Sequence, residues 1–213
     1  MGNKFVIMKI IHILIVISLS LLFDSCIRTS GFTSGFKSLS EEEKTRIIPL
    51  RDEIQDSKNI DSATQRIYSI TCNQLRKYIK ENNKVLVYDW TPFCRSSSCI
   101  NPTLIKRFCD ENNMKFILIA NCYTGVFEFN SNIIQVFSIN NEAYRTDVRS
   151  RYSRLFYEEL TGMKYKSLHS LIYFDNGSFV GSYDNISELY LPSTWIKKSG
   201  NWFLIKAGGR STT

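Results

Sequence analysis

The fold is decided by one stretch of the sequence, Val85-Leu86-Val87-Tyr88-Asp89-Trp90-Thr91-Pro92-Phe93-Cys94-Arg95-Ser96-Ser97-Ser98-Cys99. Its first four residues are an apolar run that predicts a buried β-strand. The residues from Ile100 to Glu111 predict a helix, so Cys94 lies where a strand gives way to a helix. Unpaired N–H groups and the positive end of the dipole in a helix's first turn favour a thiolate, the nucleophilic form of sulfur. Cys94 is therefore the predicted reactive residue, and Cys99 is predicted to resolve a disulfide.

The sequence around this stretch alternates between strand and helix patterns. Strands are predicted at 66–71, 85–89 and 115–120, and amphipathic helices at 73–81 and 100–112. This βαβαβ order predicts parallel strands joined by right-handed crossovers. The second half predicts an edge-like strand at 134–139, a helix from Tyr144 to Thr161, and a hairpin of 170–174 and 178–183 around Asp175-Asn176-Gly177. The predicted class is α/β, with a central mixed sheet and helices on both faces.

The first residues predict export from the cytoplasm. Lys4 and Lys9 are followed by an apolar run that ends at Phe23, the pattern of a signal peptide. Ser25-Cys26 resembles the lipobox of bacterial lipoproteins, whose cysteine is lipidated and becomes the new N-terminus. Ordinary signal cleavage and an uncleaved anchor are the alternatives.

The predicted organisation is a signal peptide at 1–25, a tether and N-terminal helix at 26–60, and one domain at 61–213. The resemblance to lipoproteins implies a chain anchored to a bacterial membrane through Cys26, facing the periplasm or the outside. The net charge is +7 and stays positive without the signal peptide. Because an exported chain rarely meets nucleic acid and no basic-aromatic stripe is evident, no nucleic-acid partner is predicted.

The chain has six cysteines, and lipidation of Cys26 would leave five for the folded domain. An odd number cannot all pair within one chain, so at least one is free or joins another molecule. Cys72, Cys94 and Cys122 each follow a predicted parallel strand, and these strands end at one edge of the sheet. Cys122 is therefore an alternative thiol partner of Cys94. Close-spaced ligand pairs are lacking, so neither a metal site nor a cofactor is predicted.

The order of elements, completed by a closing helix, resembles the thioredoxin fold over about residues 61–185. Trp90 stands four residues before Cys94, which matches the spacing of the thioredoxin motif. The segment 168–177 resembles the family's Thr-Pro-Thr segment and the strand and turn after it. The resemblance implies that Trp90, Pro92 and Phe93 form an apolar rim for substrates. It also places His169 where the family has a cis-proline facing the disulfide, so His169 is predicted to tune the thiolate.

Three positions depart from the family pattern and leave alternatives open. Ser97 occupies the position of the second cysteine, Tyr88 that of a buried acid, and His169 that of the cis-proline. The predicted function is exchange with protein thiols or disulfides in the cell envelope, through Cys94 with Cys99 resolving.

One alternative is a redox-inactive lipoprotein of the same fold that binds a partner in the envelope. The other is a thiol peroxidase, because the Cys-x4-Cys spacing and Thr91 resemble atypical two-cysteine peroxiredoxins. Val87 stands where those enzymes have a proline.

Overall fold

Four helices and nine strands form the regular structure of the described residues. The computed structural model describes residues 31–51, 53–54, 65–96, 99–129 and 131–190, together with the backbone of 195–198 and 201–204. The helices are α1 (Glu41–Thr45), α2 (Cys72–Glu81), α3 (Pro102–Glu111) and α4 (Arg149–Thr161). The strands are β1 (Ile47–Pro49), β2 (Ile67–Ile70), β3 (Lys84–Trp90), β4 (Lys115–Ala120), β5 (Val136–Ile139), β6 (Leu171–Asp175), β7 (Ser178–Tyr183), β8 (Trp195–Lys198) and β9 (Asn201–Leu204).

Seven of these strands form one mixed sheet in the order β1-β2-β5-β4-β3-β6-β7. The first five are parallel to one another, while β6 runs antiparallel to β3 and β7 antiparallel to β6. The β6–β7 turn is Asn176-Gly177, and both residues have positive φ, as a two-residue hairpin turn requires. The predicted α/β class, mixed sheet and hairpin are confirmed.

Helices cover both faces of this sheet, as predicted. On one face α2 and α4 bury Leu75, Ile79 and Phe156 against alternate strand residues such as Val87 and Ile119. On the other face α3 and the loops after β4 cover the intervening residues, including Leu86, Trp90 and Leu118. Because side chains alternate along a strand, β3 divides its residues between the two cores. Asp89 and Trp90 therefore end β3 on opposite faces.

The prediction of an edge-like strand at 134–139 was wrong. The strand is β5, and it lies inside the sheet between β2 and β4. All four of its residues, Val-Phe-Ser-Ile, are buried. A parallel strand that is covered on both faces appears in sequence as a short continuous apolar run, so its pattern does not distinguish an interior position from an edge.

The long helix begins later than its pattern predicts. Residues Asn141–Tyr144 form a 3-10 turn, and Arg145 has a φ of 51°. That left-handed conformation interrupts the helix, so α4 begins at Arg149. A closing helix was also predicted. In the described part of the tail, residues Ile186–Tyr190 form a 3-10 turn, and β8 and β9 pair as a separate antiparallel hairpin.

Residues 31–49 belong to the same folded unit as the sheet, although the sequence assigned them to a tether and an N-terminal helix. Ser40 and Glu43 form a capping box at the start of α1, the helix ends at Thr45, and Ile47–Pro49 pairs with β2 as an edge strand. The backbone of 32–34 bonds to Asp147, Arg149 and Tyr123.

The predicted signal peptide, Cys26 and residues 27–30 of the predicted tether lie outside the described residues. Within the described part of the chain, no helix is both long enough and apolar enough to cross a membrane.

Candidate functional site

The loop between β3 and α3 carries a disulfide between Cys94 and Cys99. Two turns shape this loop, since the Cys94 amide donates to the Thr91 carbonyl at 3.0 Å and the Cys99 amide to the Ser96 carbonyl at 3.0 Å. The two Cα atoms are 6.2 Å apart, within the range that a disulfide spans. Both cysteines are half-buried. The sulfur atoms therefore sit at the carboxyl edge of the sheet, within reach of solvent.

The start of α3 corrects the expectation about the helix dipole. Asn101 caps this helix through its side chain, and Pro102 is the first helical residue. Cys94 thus lies eight residues before the helix, outside its first turn, where the dipole falls off. Both sulfurs contact the side chain of Ser96, whose Oγ is 3.5 Å from Cys94 Sγ and 3.4 Å from Cys99 Sγ. In the disulfide form Ser96 can only be the donor of these contacts, because neither sulfur carries a hydrogen.

The predicted apolar rim is reduced to Pro92 and Phe93. Trp90 is 6% exposed, and its ring lies edge-on against Phe129 with centroids 5.0 Å apart. Its indole therefore packs in the core and is not accessible to a substrate. Pro92 and Phe93 are half-buried. The Arg149 guanidinium lies 5.7 Å from the Phe93 ring centroid, and Gly31 leaves no room for a Cβ beside that ring.

The three other described cysteines are free and buried: Cys72, Cys109 and Cys122. Burial raises the pKa of the Cys72 thiol to about 12, and the nearby Glu159 charge adds to the effect. Burial likewise raises the pKa of Cys109 to about 12. The pKa of Cys122 is raised by burial too, against an opposing influence of Arg149. Cys122 follows β4 as predicted, but only 2% of it is exposed.

His169 lies just before β6, at the mouth of a cleft beside β3. Its Nδ1 is 2.6 Å from Asp184 Oδ1, and its backbone amide donates to Ser182 Oγ at 3.0 Å. The described contact of the imidazole is therefore with Asp184, the residue after β7, and the contact with β7 itself is made by the backbone. Tyr88, at the position of the family's buried acid, is buried and donates its hydroxyl to the Ile100 carbonyl at 3.0 Å.

A polar network that the sequence reasoning missed begins at Asp89, the neighbour of Tyr88. Asn121 Nδ2 donates to Asp89 Oδ1 at 3.0 Å, and the Tyr165 hydroxyl donates to Asp89 Oδ2 at 3.1 Å. Burial raises the pKa of the Asp89 carboxyl, while these two donors and the charge of Arg149 act in the opposite direction. The acid near the disulfide is thus on the α2–α4 face.

Asn121 connects this acid to its surroundings. Its Nδ2 also contacts Thr91 Oγ1 at 2.9 Å, and its Oδ1 accepts from Arg149 Nη1 at 3.3 Å. Its backbone amide donates to the Trp90 carbonyl at 2.9 Å and so prolongs the β3–β4 pairing. A sequence signal existed, because Asp89 ends one predicted parallel strand and Asn121 directly follows the next.

The network forms one wall of a cleft of about 470 Å³. The other walls are the first turns of α4 and the segment 165–170. Its polar lining includes Asp89, Asn121, Arg149, Ser153, Lys166 and His169. Sequence reasoning missed Ser153 and Lys166.

No group of three or more His, Cys, Asp or Glu side chains among the described residues is arranged to hold a metal ion. The polar groups of the site instead suit hydrogen bonding to a ligand and thiol chemistry at the loop. Comparison of the chain with protein-family models, with curated proteins and with solved structures found no match.

Proposed function

We propose that this chain is a membrane-tethered thioredoxin-like protein that exchanges thiols and disulfides through Cys94, with Cys99 as the resolving cysteine. The observation that carries the proposal is the contrast among the described cysteines. Cys94 and Cys99 are paired in a half-buried loop, whereas the other three are buried thiols with raised pKa. Reactivity towards a protein substrate requires an accessible sulfur, so the loop is the favoured place for exchange.

The exchange proceeds in two displacements. In the reduced protein, the Cys94 thiolate attacks one sulfur of a substrate disulfide, forms a mixed disulfide and releases the first substrate thiolate. The Cys99 thiolate then attacks Cys94 Sγ, which releases the second substrate thiolate and leaves the Cys94–Cys99 disulfide. Two electrons pass to the substrate, and the two cysteine protons end on its thiols. A dithiol donor reverses both steps and restores the reduced pair.

Among the described residues, Ser96 is placed to tune this chemistry. Its hydroxyl lies within 3.5 Å of both sulfurs, and a hydrogen bond to a thiolate favours the charged form. We expect Ser96→Ala to raise the pKa of Cys94 in the reduced protein and to slow exchange at neutral pH. Ser178→Ala, at the exposed start of β7, is the matched control and should leave both quantities unchanged.

The order of elements supports the thioredoxin-like part of the proposal. The run β2-α2-β3-α3-β4, then α4 and the β6–β7 hairpin, follows the order for which the family resemblance was stated. Of the two additional strands, β1 extends the sheet at one side and β5 is inserted between β2 and β4, and neither changes the edge at which Cys94 lies. Because one fold serves many functions, the fold supports the architecture and the cysteines carry the activity.

The predicted lipidation site supports the choice of partners. A lipid on Cys26 would tether the chain to a membrane, so the expected substrates are thiols or disulfides of proteins in the cell envelope.

The pH dependence of alkylation tests the proposal most directly. The full chain is reduced, treated with iodoacetamide at a series of pH values, and analysed by mass spectrometry at each cysteine. We expect Cys94 to be labelled with an apparent pKa well below the ordinary value of about 8.5. In addition, Cys94→Ser should abolish reduction of an aromatic disulfide by the reduced chain, while Cys109→Ala should retain it. Activity that survives the loss of Cys94 would contradict the proposal.

One observation favours a second candidate, a redox-inactive protein that binds a partner in the envelope. Cys94 lies eight residues before α3, and so it lacks the helix terminus that would activate it. In that case the disulfide only cross-links the loop. An ordinary or raised pKa for Cys94, together with no exchange activity, would select this second function.

A further inference from the structure

A positively charged surface extends from the cleft beside the disulfide along α4. A second open depression, of about 520 Å³, is lined by α4 and by residues 162–166. It shares Lys166 with the cleft of about 470 Å³, so the two depressions adjoin. Their combined lining contains four Lys or Arg side chains but only two carboxylates: Arg149, Arg154, Lys164, Lys166, Asp89 and Glu158.

The two carboxylates of this lining are engaged within the protein. Both oxygens of Asp89 accept hydrogen bonds from neighbouring side chains. Glu158 Oε2 lies 3.6 Å from Arg154 Nη1, and Glu158 Oε1 accepts from the Tyr165 backbone amide at 3.2 Å. Neither carboxylate therefore neutralises the remaining cations of the two depressions.

Three of the cations on this side of the molecule are exposed and unpaired. Arg151, Lys164 and Lys166 are exposed, and no carboxylate of the described residues lies within ion-pair distance of them. Arg151 lies three residues before Arg154 and so on the same face of α4. Arg151, Arg154, Lys164 and Lys166 together form what we call the basic surface.

The cations of the disulfide loop and of α3 differ, because all of them have acidic partners. Arg95 pairs with Glu128 at 3.1 Å in the loop. The two cations of α3 each pair one turn later along the helix, as Lys106–Asp110 and Arg107–Glu111. The positive field near the disulfide therefore comes from the α4 side alone among these elements. Depressions lined by charge of one sign concentrate partners of the opposite sign.

The basic surface lies within reach of a polypeptide that reacts at Cys94. Thr91 lines the adjoining cleft, and its carbonyl accepts from the Cys94 amide at 3.0 Å. The Arg149 guanidinium lies 5.7 Å from the ring centroid of Phe93, the residue before Cys94. Along α4, the rise from Arg149 to Arg154 is about 7.5 Å. Three extended residues of a bound chain span about 10 Å, so side chains close to a substrate cysteine can reach these cations.

We propose that the basic surface binds an acidic segment of the protein whose disulfide Cys94 attacks. This inference rests on the proposed function and names its substrate class, disulfide proteins with Asp or Glu within a few residues of the reacting cysteine. A polypeptide fits because its side chains can enter two adjoining depressions, and opposite charges across an interface raise the rate of encounter. Met163, 45% exposed in the second depression, offers an apolar contact beside the cations.

Reduction of two synthetic peptides by the reduced full chain tests the inference. Both peptides contain the same intramolecular disulfide, flanked by aspartates in one and by lysines in the other. Two electrons pass from the Cys94–Cys99 dithiol to the peptide disulfide, and each rate is divided by the rate with uncharged dithiothreitol. We expect the acidic peptide to be reduced about tenfold faster at low ionic strength. Salt at about 1 M, where the Debye length is about 3 Å, should remove most of this preference.

Two charge-reversal variants locate the preference. Lys164→Glu combined with Lys166→Glu should abolish it, because the surface then repels the acidic peptide. Lys80→Glu combined with Lys84→Glu is the matched control, since it changes the net charge equally at the amino end of β3, and it should keep the preference. All four side chains are exposed, so both variants should melt as the parent chain does.

An uncharged aromatic disulfide, dithiodipyridine, separates this inference from the proposed function. A chain that reduces dithiodipyridine but reduces both peptides at equal rates would overturn the inference and leave the proposed function standing. A chain that reduces none of the three would overturn both. An unchanged preference in the Lys164–Lys166 variant would also overturn the inference. Binding to phosphatidylglycerol vesicles that this variant loses, with no peptide preference, would instead assign the basic surface to a membrane.

Discussion

The chain leaves β2 and β3 in different ways. After β2, Thr71 caps α2 at once, and Cys72 is the first helical residue and is buried. After β3, eleven residues precede Pro102, and this loop carries the half-buried Cys94–Cys99 disulfide. The cysteine at the helix terminus is thus the inert one, and the cysteine in the loop is the accessible one.

Magnitudes explain this contrast. A helix terminus stabilises a nearby charge by about 0.3–1 kcal/mol. Burial and Glu159 raise the pKa of Cys72 from 9.0 to about 12, which corresponds to roughly 4 kcal/mol against the thiolate. Burial therefore outweighs the dipole at the end of β2. Exposure of the loop, rather than proximity to a helix, is what makes the end of β3 a candidate for thiol chemistry.

The largest expected effect is a difference in alkylation rate between the two strand ends. In the reduced full chain at pH 8, iodoacetamide should label Cys94 at least a hundredfold faster than Cys72, because Cys72 is both buried and protonated. Mass spectrometry of the digested protein gives both rates in one sample. Equal alkylation rates of Cys94 and Cys72 in the folded chain would contradict this prediction. In the urea-unfolded chain, the control, the two rates should be equal.

The second effect concerns the network that supports the end of β3. We expect Asn121→Ala to lower the free energy of unfolding by about 2 kcal/mol at pH 7, because the Asp89 carboxylate loses a charge-assisted donor. The loss should be smaller at pH 4, since the hydrogen bond favours the ionised form and a neutral carboxyl needs it less. Urea denaturation at both pH values measures this. Asn73→Ala, exposed on α2 beyond the end of β2, is the control and should be nearly neutral.

The third effect is a loss of stability in alkaline solution that depends on Cys72. A thiol whose pKa is raised by folding stabilises the protein fully below its unfolded pKa, and this contribution is lost as the pH rises above it. Between pH 8 and pH 10 one such thiol costs about 1.4 kcal/mol. Between these pH values, the free energy of unfolding of Cys72→Ala should therefore decrease by about 1.4 kcal/mol less than that of the parent chain. The same slope in both proteins would mean that Cys72 ionises normally in the fold.

The smallest effect tests how the N-terminal segment covers the end of β3. Gly31 and Gly162 both have positive φ, 86° and 73°, but a Cβ at Gly31 would meet the Phe93 ring, whereas nothing lies within 4 Å of one at Gly162. Both alanine variants should lose about 1 kcal/mol from backbone strain. Gly31→Ala should lose more and should also speed alkylation of Cys94. Thermal denaturation measures the stability lost in each variant. Identical losses would show that the Phe93 ring can move aside at little cost.

The local pattern predicted most of the secondary structure. The strand β4 lies at 115–120 as predicted. Strands β2 and β3 differ from the prediction by one residue at each end and α2 by one residue at its start, because periodicity and caps are local properties. The Asn176-Gly177 turn could be predicted equally well, because Asn-Gly is one of the few residue pairs in which both residues readily adopt a positive φ. The start of α3 was harder to place. The helix-like run extends back to Ile100, but Asn101 caps the helix and Pro102 begins it.

The sequence by itself determined that a cysteine pair follows a buried strand of an α/β domain. It also determined that the carboxyl ends of the parallel strands lie at one edge of the sheet. Tertiary structure decided which cysteines are accessible, where β5 inserts, and that Asp89 and Asn121 share a hydrogen bond. Residues 89 and 121 are 32 positions apart and meet only because β3 and β4 pair in parallel. Burial and charge around a side chain come from such distant segments, so local sequence could place Cys94 and Cys72 but could not rank their reactivity.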